Sequence, residues 1–308
     1  MSKKILVTGA AGLIGSQVVK ELISRKYEVI AVDNFSYGHN ENDNSLVTWL
    51  KEDITKSNFE NIFNELKPTG VIHCAAHPGG KSLQEPVLDV EVNVLGSMKL
   101  FYQAAIAKIP IVYLSSSAVY GPSELTRGLK ENDELNPGTI YAACKVACEN
   151  YLKILEKGYG LKWTILRLFA TYGQGHKGNT FQGIVNIMLT QLLNGNKVVV
   201  KGSLQRVRGL VYVTDAACAI VDALETEKSR SHIINISHET PSTIENIIKI
   251  IIKHMGKEDA KIIEEEGTVG DPMYNYADIT KSKEIINFEP KYSLEEGLKE
   301  LVDIKLGK

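Results

Sequence analysis

The 308-residue sequence has no excess of positive charge: 35 lysines and arginines stand against 37 acidic residues, for a net charge of −2. A surface that follows a nucleic-acid backbone or an anionic bilayer needs clustered cations, so neither partner is expected. Cysteine is scarce: four residues, Cys74, Cys144, Cys148 and Cys218, in no disulfide-framework or zinc-finger spacing. Cys144 and Cys148 lie four apart and read as small buried side chains, so no metal is expected. No apolar run reaches the roughly 18 residues of a membrane-crossing helix. The first four residues run straight into an apolar strand, which gives no sign of a signal peptide. The cytoplasm is therefore the expected compartment. Internal repeats and low-complexity tracts are also missing.

The length suits one large α/β domain plus a smaller one. Lys4–Thr8 reads as a buried strand, followed by the turn Gly9-Ala10-Ala11-Gly12-Leu13-Ile14-Gly15, a helix to about Ser24 and a second strand, Glu28–Val32. This βαβ unit has the size and order of a dinucleotide-binding element. The glycines are spaced GxxGxxG. They permit a tight turn and bring backbone N–H groups, with Leu13 and Ile14 alongside, close to a pyrophosphate at a helix N-terminus. Asp33 ends the second strand. It can accept from both ribose hydroxyls and would repel a 2′-phosphate, which favours NAD over NADP. Asn34 stands ready to assist. Asp53 and Ile54, after a short strand near Thr48–Leu50, are expected to flank the adenine.

Val71–Ala76 forms the next strand and turn, where the small Ala75 and Ala76 let backbone lie against the cofactor. His73 and His77 read as structural. The loop Pro78–Ser82 belongs at the C-terminal sheet edge, where open α/β sheets bind ligands. Its Lys81 either meets a substrate anion or stays in solvent. A helix is expected over Val87–Lys108, carrying Asn93 on the cofactor side, then a strand Ile111–Leu114, a loop Gly121–Pro137 and a strand Trp163–Leu168.

After about Ala170 the pattern changes, so the predicted fold is a Rossmann-type doubly wound parallel sheet over residues 1–170, with a smaller α/β substrate lobe over 171–308 and some chain returning to the first domain. The glycine-rich stretch Tyr172–Asn179 places Asn179 among the expected substrate contacts. Helices are expected at Phe181–Leu193, Asp215–Leu224, Thr243–His254 and Leu294–Ile304. Arg206 and Arg208 lie two apart in an extended segment and would face one side, as forks for phosphate oxygens or as a solvated basic edge.

The chemistry is carried by Ser115-Ser116-Ser117 and Tyr141-Ala142-Ala143-Cys144-Lys145. Tyr141 and Lys145 share one helix face. An ammonium beside a phenol favours phenolate, which suits deprotonation of an alcohol held by a serine hydroxyl.

Taken together, TGAAGLIGS at Thr8–Ser16, VDN at Val32–Asn34, HCAA at His73–Ala76, NVLGS at Asn93–Ser97, SSSAVYG at Ser115–Gly121, YAACK at Tyr141–Lys145, GSLQRVRGLVYVTDAA at Gly202–Ala217 and YADITK at Tyr276–Lys281 resemble the extended short-chain dehydrogenase/reductases, in particular nucleotide-sugar epimerases of the UDP-glucose 4-epimerase type. The likeness runs through nearly the whole chain. It implies Tyr141 as catalytic base, Lys145 as its partner and nicotinamide-ribose ligand, Ser116 as catalytic serine, Ser117 as a second hydroxyl at the sugar and Arg208 on the diphosphate. It also implies a nucleotide-sugar substrate and a homodimer through the helices Val87–Lys108 and Tyr141–Lys157.

There are departures. Ala170 stands where members usually carry an Asn that meets the substrate. Met273 stands where many carry Arg. The Asp-Glu pair of 4,6-dehydratases is replaced by Ser117 and Ala118, which counts against loss of water. The resulting expectation is an NAD-dependent C4 epimerase working through a 4-keto sugar. The alternatives are a net nucleotide-sugar 4-oxidoreductase on the same scaffold and, of another class, a non-catalytic NAD-binding sensor.

Overall fold

The computed structural model describes residues 3–39, 42–122, 125–175, 183–267 and 271–308. The first part of the chain runs β1 (Lys4–Thr8), α1 (Leu13–Ser24), β2 (Glu28–Asp33), β3 (Val47–Lys51), α2 (Phe59–Leu66) and β4 (Gly70–His73). It continues with α3 (Pro86–Val90), a π-helical turn (Glu91–Gly96), α4 (Ser97–Ile106), β5 (Ile111–Ser116), α5 (Ile140–Tyr159) and β6 (Trp163–Leu168). The second part runs β7 (Ala170–Tyr172), α6 (Ile184–Asn194), β8 (Lys197–Lys201), β9 (Val207–Arg208), β10 (Leu210–Tyr212), α7 (Val213–Glu225) and β11 (His232–Ile236). It ends with β12 (Ser242–Thr243), α8 (Ile244–Met255), β13 (Lys261–Glu265), β14 (Tyr274–Asn275), α9 (Thr280–Ile286) and α10 (Leu294–Leu306).

Seven parallel strands form one sheet in the order β11-β6-β5-β4-β1-β2-β3. Their apolar runs reflect burial on both faces, as a parallel sheet requires. The period of two sorts them. Ile5, Val7, Val29 and Ala31 pack with α1, α7 and α9, whereas Leu6, Ile30 and Val32 pack with α2, α4 and α5. The chain fills one side with β2 and β3, then crosses to β4, so the order reverses between β1 and β4. In an open α/β sheet that reversal leaves a crevice beyond the strand ends.

The expected strands and most helices are present, with shifted ends. The helix expected over Val87–Lys108 is three pieces, because the π-helical turn interrupts it. Of the helix expected at Phe181–Leu193 the described part is α6, since residues 181 and 182 lie outside the described residues. α2, α9 and β11 were not expected. β11 pairs with β6 in parallel and, together with α7, returns chain from beyond residue 171 to the main sheet.

The second lobe packs α6, α8 and α10 around β8 and β10, with Ile244, Ile247, Ile248 and Ile251 at its centre. Local chemistry sets its helix ends. Thr243 caps α8, Gly256 ends it with φ 64°, and Ser293 with Glu296 forms a capping box on α10.

Candidate active site

A cleft of about 520 Å³ opens at the strand-order reversal. Its floor is the glycine turn. Gly9 has φ 67°, and a Cβ there would stand 2.6 Å from the Ala75 nitrogen, so only glycine lets the turns after β1 and β4 approach this closely. Gly12 caps α1 without a side-chain acceptor, and Leu13, Ile14 and Gly15 line the wall. A helix N-terminus in that setting offers N–H groups to a diphosphate.

Asp33 lines the cleft and accepts from the backbone N–H of Ala11 at 2.9 Å and of Phe35 at 2.7 Å. Asn34 donates to Asp53 at 3.0 Å. Burial alone raises the Asp53 carboxyl, but hydrogen bonds from Thr55 and Asn34 outweigh it and hold the group below the usual carboxylate range. Ile54, Ala75 and Ala76 complete this part of the wall. The close-approach turn, the helix N-terminus and the acid at the end of β2 together fit a bound NAD.

The far part of the same cleft carries Ser116, Tyr141 and Lys145. Ser116 ends β5, and its Oγ accepts from the Ala118 N–H at 3.2 Å. Tyr141 is the second residue of α5, whose first turn is capped by Thr139. Lys145, one turn on, donates to the Leu114 carbonyl at 2.8 Å and lies 4.9 Å from the Tyr113 ring centroid and 5.5 Å from that of Tyr141. The helical spacing and the end of β5 thus bring an alcohol, a phenol and an ammonium to one wall.

Other expected site residues fall elsewhere. Asn93 is buried behind the wall rather than on it: its Oδ1 accepts from the His77 N–H at 2.8 Å and its Nδ2 donates to the His77 carbonyl and to Asp89. Its amide is therefore engaged in holding the turn after β4. Ser117 begins a short 3-10 turn and does not line the cleft. Lys81 sits on the loop after β4, 3.7 Å from Glu85 and 5.2 Å from the Tyr37 ring centroid, and is likewise not on the wall. Arg206 and Arg208 converge on one carboxylate, as the extended spacing predicts: both guanidiniums meet Asp271, Arg208 at 2.7 Å, and neither residue lines the cleft. Asn179 lies outside the described residues. Ala170 opens β7 and lines a separate small hollow, whereas its neighbour Thr171 also reaches the main cleft.

Several wall residues were not anticipated: Tyr37, Gly38 and Thr171; His77 also borders the cleft, buried and bonded to Asn93 and Glu85. Gly38 carried a usable signal, a glycine five residues after the acid. A Cβ there would stand 2.6 Å from the Ala11 carbonyl carbon, because the loop after β2 folds back onto the glycine turn. His73 is structural as expected. It is buried between Thr8 at 2.5 Å and Ser97 at 2.8 Å, and burial beside Lys145 pulls its imidazole down to about 3.

A doubly wound parallel sheet with a glycine turn at its switch point, and a serine, tyrosine and lysine on the wall of the same cleft, is the arrangement of an NAD-binding enzyme. The chain belongs to the NAD dependent epimerase/dehydratase family, whose model matches residues 5–237. It is 31% identical over 303 residues to a putative UDP-glucose 4-epimerase of Methanocaldococcus jannaschii, covering 97% of each chain. It is 30% identical over 325 residues to the UDP-N-acetyl-alpha-D-glucosaminuronate decarboxylase of Bacillus cytotoxicus, covering 98% of this chain and 97% of that one. Among solved structures, the UDP-glucose 4-epimerase of Thermotoga maritima with UDP-glucose superposes with a TM-score of 0.93 at 32% identity, over 99% of both chains. The chain is accordingly a nucleotide-sugar enzyme with NAD as its cofactor. Among the described residues no helix is long and apolar enough to cross a membrane.

Proposed function

We propose that the protein is a C4 epimerase of a nucleotide-activated, uncharged hexose. The observation that carries this reading is the placement of Ser116, Tyr141 and Lys145 on the wall of the cleft that also holds the glycine turn and Asp33. NAD, when bound, supplies the acceptor and donor for the hydrogen on the sugar C4. The chain's own residues do the rest. Ser116 Oγ orients the sugar O4, and Tyr141 Oη takes its proton and later returns it. Lys145, buried and held on the Leu114 carbonyl, keeps a fixed positive charge beside that phenol. Inversion needs the keto sugar to turn while its diphosphate stays held, and we assign that hold to Arg206 and Arg208, whose guanidiniums would exchange Asp271 for the diphosphate oxygens.

The second reading is a decarboxylase acting on a sugar with a C6 carboxylate. Among the described residues of the cleft wall the only lysine or arginine is Lys145, and its ammonium is already committed to Leu114. A carboxylate would find no cation there, which favours the neutral sugar.

We also propose a cytoplasmic homodimer. Val87, Val90, Leu95, Tyr102 and Ile106, on the helical run from α3 to α4, and Ile154 on α5 are large apolar side chains left exposed, and a second copy of this chain would cover them. Size-exclusion chromatography with light scattering at micromolar concentration would show a dimer; a monomer would refute this part.

The decisive experiment denatures the purified protein, identifies the released nucleotide, and follows UDP-glucose, UDP-N-acetylglucosamine and UDP-glucuronic acid by proton NMR. Inversion at C4 of a neutral sugar without lasting NADH absorbance is expected. Stoichiometric NADH with no epimer would establish a net oxidoreductase, and release of carbon dioxide a decarboxylase. NAD binding with no sugar conversion would leave a sensor.

A further inference from the structure

Asp89 is a carboxylate with no accessible surface. Among the described residues no lysine or arginine pairs with it. Its Oδ2 accepts from the hydroxyl of Ser82 and its Oδ1 from the amide of Asn93; the His77 Nδ1 stands 3.8 Å away. A polar group taken wholly out of water depends on its hydrogen bonds, and both Asp89 oxygens are engaged in them. Ser82 is itself buried. With its proton committed to Asp89, its oxygen is left to accept, and it accepts the backbone N–H of Tyr141 at 2.9 Å.

That N–H is one of the orphan donors at the start of α5. Thr139 caps the helix through the N–H of Ala142, not that of Tyr141. The residue bearing the phenol is therefore tied to a different loop, the one after β4. The same loop meets the phenol from a second direction: a Cβ on Gly79 would stand 3.1 Å from Tyr141 Cδ1 and 3.2 Å from Cγ. Both ends of the loop are held by the α3 region, His77 through Asn93 and Ser82 through Asp89, four residues apart at the start of the π-helical turn. Turns of this kind recur where a helix must aim particular side chains.

We propose that Asp89 is a positioning residue of the reaction: through the Ser82 hydroxyl it fixes Tyr141 in the cleft. This inference rests on the reading of Tyr141 as proton acceptor, and its test separates the two.

Two measurements decide it. The first is hydrogen exchange at the Tyr141 amide, which needs no substrate. Protection is expected in the unaltered protein, with marked loss in Ser82→Ala and Asp89→Asn. The second is steady-state kinetics per NAD-loaded site. Ser82→Ala is expected to lower kcat by about 10- to 100-fold, as for a small misplacement of a reacting group, with KM and NAD content within about twofold. Ser82→Thr, which keeps the hydroxyl, should recover much of the rate. The double variant should be no worse than the poorer single one, because both act through one chain of contacts. A merely structural role would lower the thermal midpoint and NAD content but leave kcat per loaded site and its pH profile unchanged, and that result would overturn the proposal. So would unaltered exchange at Tyr141 in Ser82→Ala, a measurement that holds even if Asp89→Asn fails to fold. If the unaltered protein converts no nucleotide sugar, the functional reading fails, while the exchange experiment still decides whether the tie exists.

Discussion

Arg167 and Glu149 meet in a two-pronged ion pair, Nη2 to Oε2 at 2.7 Å and Nε to Oε1 at 3.0 Å, with both side chains almost wholly buried. Ser115, next to Ser116, donates to the same Oε1 at 2.6 Å. Arg167 Nη1 also reaches the Tyr120 hydroxyl and the Glu131 carbonyl, each at 3.0 Å. One buried cation thereby joins β5, β6, α5 and the loop between β5 and α5, the elements that carry Ser116, Tyr141 and Lys145.

Arg167→Met removes the positive partner and leaves the buried Glu149 carboxylate with the Ser115 hydroxyl but no cation. Breaking such a pair costs about 3–5 kcal/mol. Urea unfolding monitored by circular dichroism should show a loss of that order; a change below about 1 kcal/mol would mean that the network relaxes or admits water.

Tyr141→Phe deletes only the phenolic oxygen. We expect kcat to fall by about 10²–10⁴, the worth of a positioned proton-transfer group, while NAD content and thermal midpoint stay as they are. A variant retaining more than about a tenth of the rate would remove Tyr141 from the chemistry.

His73 gives the protein a pH-dependent term. Its imidazole titrates at about 3 in the fold against an ordinary value of 6.5, because burial and then Lys145 disfavour its charged form. Between those values the unfolded chain binds the extra proton, so this contribution to stability is full above about 6.5 and is lost as pH falls towards 3. The slope from one such group reaches at most about 1.4 kcal/mol per pH unit. Comparing urea midpoints of the unaltered protein and His73→Gln from about pH 7 to about pH 4.5 should show a steeper fall in the former; parallel curves would contradict the assignment.

Asp33→Asn keeps an acceptor near Ala11 and Phe35 but removes the charge that opposes a 2′-phosphate. The ratio of NADP to NAD affinity, measured by calorimetry, should rise at least about tenfold. An unchanged ratio would locate cofactor choice in another residue.

The Rossmann-type sheet was legible because its strands are short apolar runs and its turn residues are dictated by backbone geometry. Gly9 is the clearest case, since a positive φ and a close approach to Ala75 admit no side chain. Tyr141 and Lys145 were legible because helical spacing alone places them on one face. β11 was not: His232-Ile233-Ile234-Asn235-Ile236 is an apolar run of strand length, but it follows the glycine-rich change at residue 170, and nothing local says that it pairs with β6. The contacts of Asn93 were not legible for a related reason. A π-helical turn alters which face a residue takes, and an even 3.6-residue period cannot show it.

Residue identity by itself therefore determined the βαβ unit, the acid at the end of β2 and the shared helix face of Tyr141 and Lys145, because each follows from local spacing and elementary chemistry; the choice of Ser116 among three serines rested on the family resemblance. Only the tertiary structure decided that Arg206 and Arg208 converge on Asp271, that Asn93 and Asp89 brace the loop after β4, and that Ser82 ties that loop to Tyr141. These are contacts between segments far apart in the chain, and burial gives them their strength by excluding the water that would otherwise satisfy each group alone.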